Sequence, residues 1–381
     1  MKITIIAAAL PPQLDGIGDY SARVAAELAR TQDVTVLTGT PAPDPIPGVR
    51  IETVFSPDTP SSVKKIADFV EANPPDWVLL QFQQFSFGKW GLNPYLPLAM
   101  RRIKRRCPHT KFAWMAHEDF VPVISWKFAV MTTWQRGQFW MLGRTADVIF
   151  FSIDPWVEQY RRWFPGKPVV HLPVGSNMPV VPVTRAEARA RLGIAEDTLV
   201  FGLFGTAHSS RLLHLIRDAV QAAYDKDPNV LALYIGPHAP AACEALQGLP
   251  VRAEGPFDAE EVSRRFAAMD IYLVPITGGV SSRRTSFMTA LQHGIPVVST
   301  FGPQTDRMLL AENEKAFLLA DVNVPSAFTD TVLRLAGDSD LQKKIGQQGE
   351  QLYRQEFAWE NVAEKLVTTL EPTHQTPGIL K

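Results

Sequence analysis

Only two of the 381 residues are cysteine, Cys107 and Cys243, and they lie far apart with no metal-type spacing. This argues against a disulfide scaffold and a cysteine-built zinc site, and it suits a reducing, cytoplasmic compartment. Net charge is equally scarce: 38 Lys and Arg stand against 39 Asp and Glu, a formal −1. The basic excess of a nucleic-acid binder is missing, so nucleic acid is not expected as a partner. No run of about 18 uncharged apolar residues occurs, and no membrane-spanning helix is expected. The chain also lacks short repeats and low-complexity blocks. Its apolar start, MKITIIAAALPP, is short and runs into PPQLDGIGDYS without a small-residue cleavage site. A first buried strand is expected there rather than a secretory leader.

With 46% hydrophobic and 20% charged residues, the chain is globular, and its length exceeds one ordinary core. Residues 2–9 read as a buried parallel strand, followed by a glycine-bearing loop, a helix near 18–30 and a strand at 34–39. Further buried strands are expected at 77–82, 111–117, 147–152 and 168–174, with helices between, for example 62–72 and 94–106. This alternation predicts a doubly wound α/β sheet. A proline-rich linker and a short charged helix occupy 175–198, and the pattern restarts. Strands are expected at 198–205, 230–236, 251–255, 271–275 and 296–300, with helices near 209–223, 258–268 and 285–293. The boundaries expected are an N-terminal domain at 1–180, joined by a returning helix at 358–372, and a C-terminal domain at 185–355. Residues 374–381 are expected to be disordered. Two Rossmann-like domains would face each other across a cleft, with ligands at the carboxyl ends of the strands.

Two loops and a preceding turn carry the chemistry. After the first strand come Gly16 and Gly18, at a strand-to-helix turn where backbone approaches a ligand closely. The sequence is not the full G-x-G-x-x-G pattern, and a plain turn with Asp19 as cap remains open. The densest signal runs from Pro275 to Ser286 and contains Gly278, Gly279, Ser281, Ser282, Arg283, Arg284 and Thr285. Glycines, hydroxyls and paired guanidiniums at a helix start are what a diphosphate needs; cations there are unfavourable unless an anion offsets them. Gly205 opens a third segment, which ends at Arg211 near the start of the next helix.

At these residues the chain resembles the family 4 glycosyltransferases, retaining enzymes of the GT-B fold. PPQLDGIGDYS is similar to the family's first glycine motif, with Asp15 in place of a usual glycine. MAHEDF puts His117 at the family's active-site histidine. FGTAHSSRLLHLIRDA resembles its G-R-L-x-x-x-K-G segment: Arg211 falls on the phosphate-binding lysine, and Thr206 replaces an arginine. SSRRTSFMTALQHGIPVVST resembles the segment that carries two glutamates, whose positions fall here on Ser281 and Thr289. Both carboxylates are absent, which marks a divergent subgroup in which Arg283 and Arg284 could compensate. FAWENVAEK resembles the family's closing helix.

The resemblance implies hexosyl transfer with retention, from a nucleotide-diphosphate sugar to a saccharide, lipid-linked or small-molecule acceptor, as in polysaccharide or glycolipid synthesis. It implies no cofactor and no metal, because arginines and helix dipoles can carry the leaving-group charge. His117, Arg211, Arg283 and Arg284 are the candidate catalytic residues. Gly16, Gly18, Gly205, Gly278, Gly279, Ser281, Ser282, Thr285 and Thr289 are the candidate donor-binding residues. A catalytically decayed binding or scaffold protein and a sugar-nucleotide epimerase of the same fold stay open as alternatives. Asp225-Lys226-Asp227 spells the D-x-D of metal-dependent glycosyltransferases but reads as a turn on the wrong side of the sheet. The basic run 101–106 and the aromatic stretch 125–142 leave open a peripheral contact with the inner face of a membrane.

Overall fold

The structure, a computed structural model, describes residues 1–121, 123–206 and 209–371. The expected disordered tail, 374–381, lies outside the described residues. The chain's described residues divide into two compact units: those of 1–152, 156–173 and 359–371 form the first, and those of 153–155 and 174–358 the second.

The first unit carries β1 (Lys2–Ala7), α1 (Gly16–Leu28), β2 (Asp33–Thr38), β3 (Val49–Thr53), α2 (Lys64–Ala72), β4 (Trp77–Phe82), α3 (Tyr95–Arg106), β5 (Lys111–Ala116), α4 (Trp126–Thr145) and β6 (Val148–Phe151). Then come α5 (Asp154–Arg161), which starts at the unit boundary, and β7 (Val169–His171). All seven strands are parallel, in the order β3-β2-β1-β4-β5-β6-β7. Every residue of β4 is buried, as a central strand covered on both faces requires. Lys2–Ala7 is such a strand too, and only Lys2 of it is exposed.

The second unit repeats the plan: α6 (Arg185–Leu192), β8 (Leu199–Phe204), α7 (Leu213–Lys226), β9 (Val230–Ile235), α8 (Ala239–Ala245), β10 (Val251–Glu254), α9 (Ala259–Phe266) and β11 (Ile271–Val274). It continues with α10 (Thr285–Gln292), β12 (Val297–Phe301), α11 (Arg307–Ala311), β13 (Leu318–Asp321), α12 (Pro325–Ala336) and α13 (Ser339–Leu352). Its six parallel strands run β10-β9-β8-β11-β12-β13. The last helix, α14 (Trp359–Leu370), belongs to the first unit and packs on α1.

In each sheet the strand order reverses once, between β1 and β4 and between β8 and β11. At such a point the two outgoing loops diverge and leave a crevice at the carboxyl ends of the strands, where open α/β sheets bind ligands. The glycine loops singled out from sequence leave β1, β8 and β11, three of the four strands concerned. β3 and β13 are sheet edges that the sequence analysis did not anticipate. β3 exposes Arg50, bonded to half-buried Glu52, so it lacks the apolar run of a central strand.

Candidate functional site

In the second unit, two loops are sewn together at the reversal point. The first leaves β8 through Gly205, whose φ of +100° favours glycine. Its carbonyl accepts the Tyr234 hydroxyl at 2.7 Å, and a Cβ on Gly236 would lie 2.4 Å from that same carbonyl oxygen. The loop returns at Arg211, which forms an antiparallel bridge with Ile276 of the second loop. Leu212 N donates to Pro275 O at 3.0 Å, and Thr277 N donates to Ser210 O at 2.9 Å. Arg211 is therefore not in the first turn of a helix, as the sequence pattern suggests; α7 begins at Leu213. A short bridge to Ile276 holds it instead.

Arg211 is buried, and its Nη2 donates to Phe204 O at 2.6 Å. Its Nη1 has no hydrogen-bond partner among the described residues. A guanidinium fixed by one nitrogen, with a second buried nitrogen left over, suits an anionic oxygen.

The second loop is anchored on β12 and on the turn that follows it. Thr300 Oγ1 accepts from Ile276 N and donates to Ile276 O, each at 2.8 Å. Val280 N donates to Thr300 O, and Gln304 N donates to Gly278 O. Gly279 has φ +84°, and a Cβ there would stand 2.2 Å from both Gly302 N and Thr305 Oγ1. Gly279→Ala is expected to destabilise the protein by about 3 kcal/mol or more, from left-handed strain plus backbone overlap. Chemical denaturation reads this directly, and an unchanged midpoint with unchanged slope would remove the packing role.

Asp306 is the residue that sequence reasoning missed. It is fully buried, and its carboxylate accepts Ser282 N at 2.6 Å and Asp154 N at 2.7 Å. It thereby fixes the backbone just before α10, where Arg284 occupies the N-cap position. The only sequence signal is an Asp directly after a Gln-Thr pair in a plain turn, 302–306. Arg283 reaches Gln304 Oε1 at 3.1 Å, and Arg283, Arg284 and Thr285 are all half-buried. The Ser281 hydroxyl is buried with no partner among the described residues. Thr289 is placed differently: its buried hydroxyl donates to Thr285 O at 2.9 Å and lies 3.0 Å from Ser176 Oγ. The structure thus brings together Gly205, Arg211, Gly278, Gly279, Ser281, Ser282, Arg283, Arg284 and Thr285 on two joined loops, and sets Thr289 one turn into α10.

In the first unit, Asp15 rather than Asp19 caps α1, accepting from Gly18 N at 2.6 Å. Gly16 begins the helix, and space around it is open. A Cβ on Gly18 would meet Ala9 O at 3.0 Å, so this glycine lets the helix start pack against the end of the first strand. His117 lies one residue past β5 and is buried. Its Nε2 is 2.8 Å from Gln81 Oε1 on β4. The ring meets Tyr20 of α1 edge-on at 4.7 Å, and Tyr20 in turn meets Trp359 at 5.3 Å.

Burial pushes the His117 imidazole down to about 3, so the ring is neutral at physiological pH. Burial also lowers His293. The unfolded chain therefore takes up protons below the ordinary histidine value while the folded chain does not. Stability should be fully present above about pH 6.5 and fall by on the order of 1 kcal/mol per pH unit as pH drops toward 3. His117→Gln, which is uncharged, should flatten part of that slope in urea unfolding between pH 6 and 4. A slope identical to that of the parent chain would show that His117 is not responsible.

Asp225-Lys226-Asp227 closes α7 and precedes β9, at the amino end of that strand. It stands at the opposite end of the sheet from the two joined loops.

Residues 198–338 match the family described as glycosyl transferases group 1. The chain carries a glycosyltransferase group 1 domain. That segment begins with β8 and contains both loops, Arg211 and the α10 start. Solved structures agree on the fold across almost the whole chain. Sucrose-phosphate synthase from Thermosynechococcus elongatus is 16% identical, with a TM-score of 0.74 over 97% of this chain and 98% of that one. Anabaena HepE, solved with UDP and glucose, is 15% identical, with a TM-score of 0.68 over 97% and 99%. A glycosyltransferase from Rickettsia africae is 13% identical, with a TM-score of 0.68 over 97% and 97%. At such identities these likenesses show the fold alone, and that fold is GT-B, with two Rossmann-like units. The group 1 domain places the chain among the glycosyltransferases, within the transferases. No curated protein matches the chain in sequence.

Proposed function

We propose that the chain transfers a hexose-type sugar from a nucleotide-diphosphate donor bound at the β8 and β11 loops of the group 1 domain. The observation that carries this reading is the buried, half-used guanidinium of Arg211, bridged to the loop that ends in Arg283, Arg284 and the start of α10. As the glycosidic bond to the diphosphate breaks, negative charge grows on the leaving phosphate. Fixed guanidiniums and free backbone N–H groups at a helix start stabilise such charge without reorganising. The Ser281 hydroxyl can donate to the same group, and Gly278 lets the backbone lie close to it. Anabaena HepE, solved also with UDP-glucose, offers a precedent for such a donor on this fold.

In this reading the chemistry runs without a metal, because the positive charge comes from side chains and backbone, and with retention, as the resemblance to the family 4 enzymes implies. His117, neutral and held by Gln81, offers an uncharged contact for a sugar hydroxyl. Gly16 and Gly18 allow close approach at the α1 start. Thr289 acts by bracing α10 against Ser176 rather than by clamping a ribose diol. The acceptor is a saccharide, a lipid-linked sugar or a small molecule, and the cytoplasm is the compartment implied.

The test is a panel of nucleoside diphosphates and their sugars. Cognate ligands should raise the unfolding midpoint, and the cognate sugar should turn over in the presence of EDTA. Binding without turnover would favour a decayed binding module. Epimer formation without an acceptor would favour an epimerase. Loss of turnover in EDTA, restored by added metal, would overturn the metal-free step.

A further inference from the structure

Helix α4 is built inside out. Its buried side carries Thr132, Gln135 and Gln138 beside Phe139 and Leu142. The polar members of that side staple loops: Gln138 Nε2 donates to Gly91 O at 2.6 Å, and Gln135 Oε1 accepts Val121 N at 3.1 Å. Its opposite side follows helical spacing through Trp126, Val130, Gly137, Trp140 and Arg144, and all of these are exposed. Trp126 is 74% exposed and Trp140 48%, and Trp90 of the adjoining turn is 64% exposed. The Trp134 indole donates to Trp90 O at 3.1 Å, which ties that turn to the helix. Large aromatics turned outward while glutamines are turned inward is the reverse of a helix that serves only its own core.

A cation accompanies each exposed indole. Lys127 Nζ stands 5.9 Å from the Trp126 ring, the Arg144 guanidinium 5.3 Å from Trp140, and Lys89 Nζ 5.7 Å from Trp90. The sequence supports the same reading: between 77 and 146 there are ten Lys and Arg and only two acids, Glu118 and Asp119, in a chain of formal charge −1. α3 packs beside α4, and its basic end, with Arg101 and Arg105, lines one surface depression together with Thr145 of α4. Among the described residues no ion pair reaches Lys127, Arg144, Arg101 or Arg105. A second copy of the chain would set this cationic face against itself at a two-fold contact, which costs free energy.

We propose that the outer face of α4, with the turn at Lys89–Trp90, docks on an anionic lipid bilayer. The indoles enter the headgroup region, and Lys127, Arg144 and the basic end of α3 meet lipid phosphates. Vesicle binding is scored without any donor, so this inference stands or falls apart from the donor reading. The full chain is sedimented with phosphatidylcholine vesicles that either contain or lack phosphatidylglycerol. Binding is expected with phosphatidylglycerol only, weakening as salt is raised. K127A/R144A should weaken it by about thirtyfold, and W126A/W140A by about tenfold, with unfolding midpoints unchanged because all four side chains are exposed. Equal binding to both vesicle types, no binding to either, or variants that bind as well as the parent chain would each overturn the proposal. Concentration-dependent dimerisation removed by W126A/W140A, without vesicle binding, would give the surface to a second copy instead.

Discussion

Arg211→Ala is expected to lower donor turnover by about 100-fold, roughly what losing one fixed donor to a developing anion costs. The fold should survive. Arg211 Nη2 bonds to Phe204 O, yet that carbonyl also accepts the Tyr272 hydroxyl at 3.2 Å, so removing the guanidinium does not orphan it. The expected stability loss is then about 1 kcal/mol, one ordinary hydrogen bond. The kinetic loss should fall mainly on kcat, since charge grows on the phosphate only as the bond breaks. Arg211→Lys should recover only part: one ammonium cannot keep the Phe204 bond and also present a planar pair of donors. Calorimetry with the nucleoside diphosphate separates ground-state from transition-state effects. If Arg211→Ala binds and turns over donor like the parent chain, the β8 loop is not part of the donor site.

The parts of this fold that sequence made legible are those where burial leaves a mark on composition. β4 and β5 are apolar along nearly their whole length, and central parallel strands must be. The edge strand β3 spends alternate positions on an Arg50–Glu52 pair and so resembles a loop. The site divides along the same line. Gly279 and the paired arginines stand out because their residue types are costly unless something requires them. Asp306 does not stand out, because its significance lies in which N–H groups it accepts, and pairing at a distance of 24 and 152 residues leaves no local pattern. Asp15 shows the reverse case. A short acidic side chain beside glycines is a cap whether or not a ligand follows, and here it accepts Gly18 N.

Removing both Arg283 and Arg284 should have the largest effect of any surface change, about a thousandfold in kcat/KM for the donor, with each single alanine costing about thirtyfold. Both stand at the amino end of α10, where the aligned peptide dipoles already present positive charge. An anion that arrives there meets two guanidiniums as well as the positive end of the helix. A sulfate or nucleoside diphosphate should therefore raise the unfolding midpoint of the parent chain far more than that of the double variant. Gln304→Ala is the control: it removes one partner of Arg283, at 3.1 Å, without removing charge, and its kinetic cost should be small. A double variant that is markedly less stable without anion, yet gains as much from diphosphate as the parent chain, would mean that these arginines hold the loop and not the ligand.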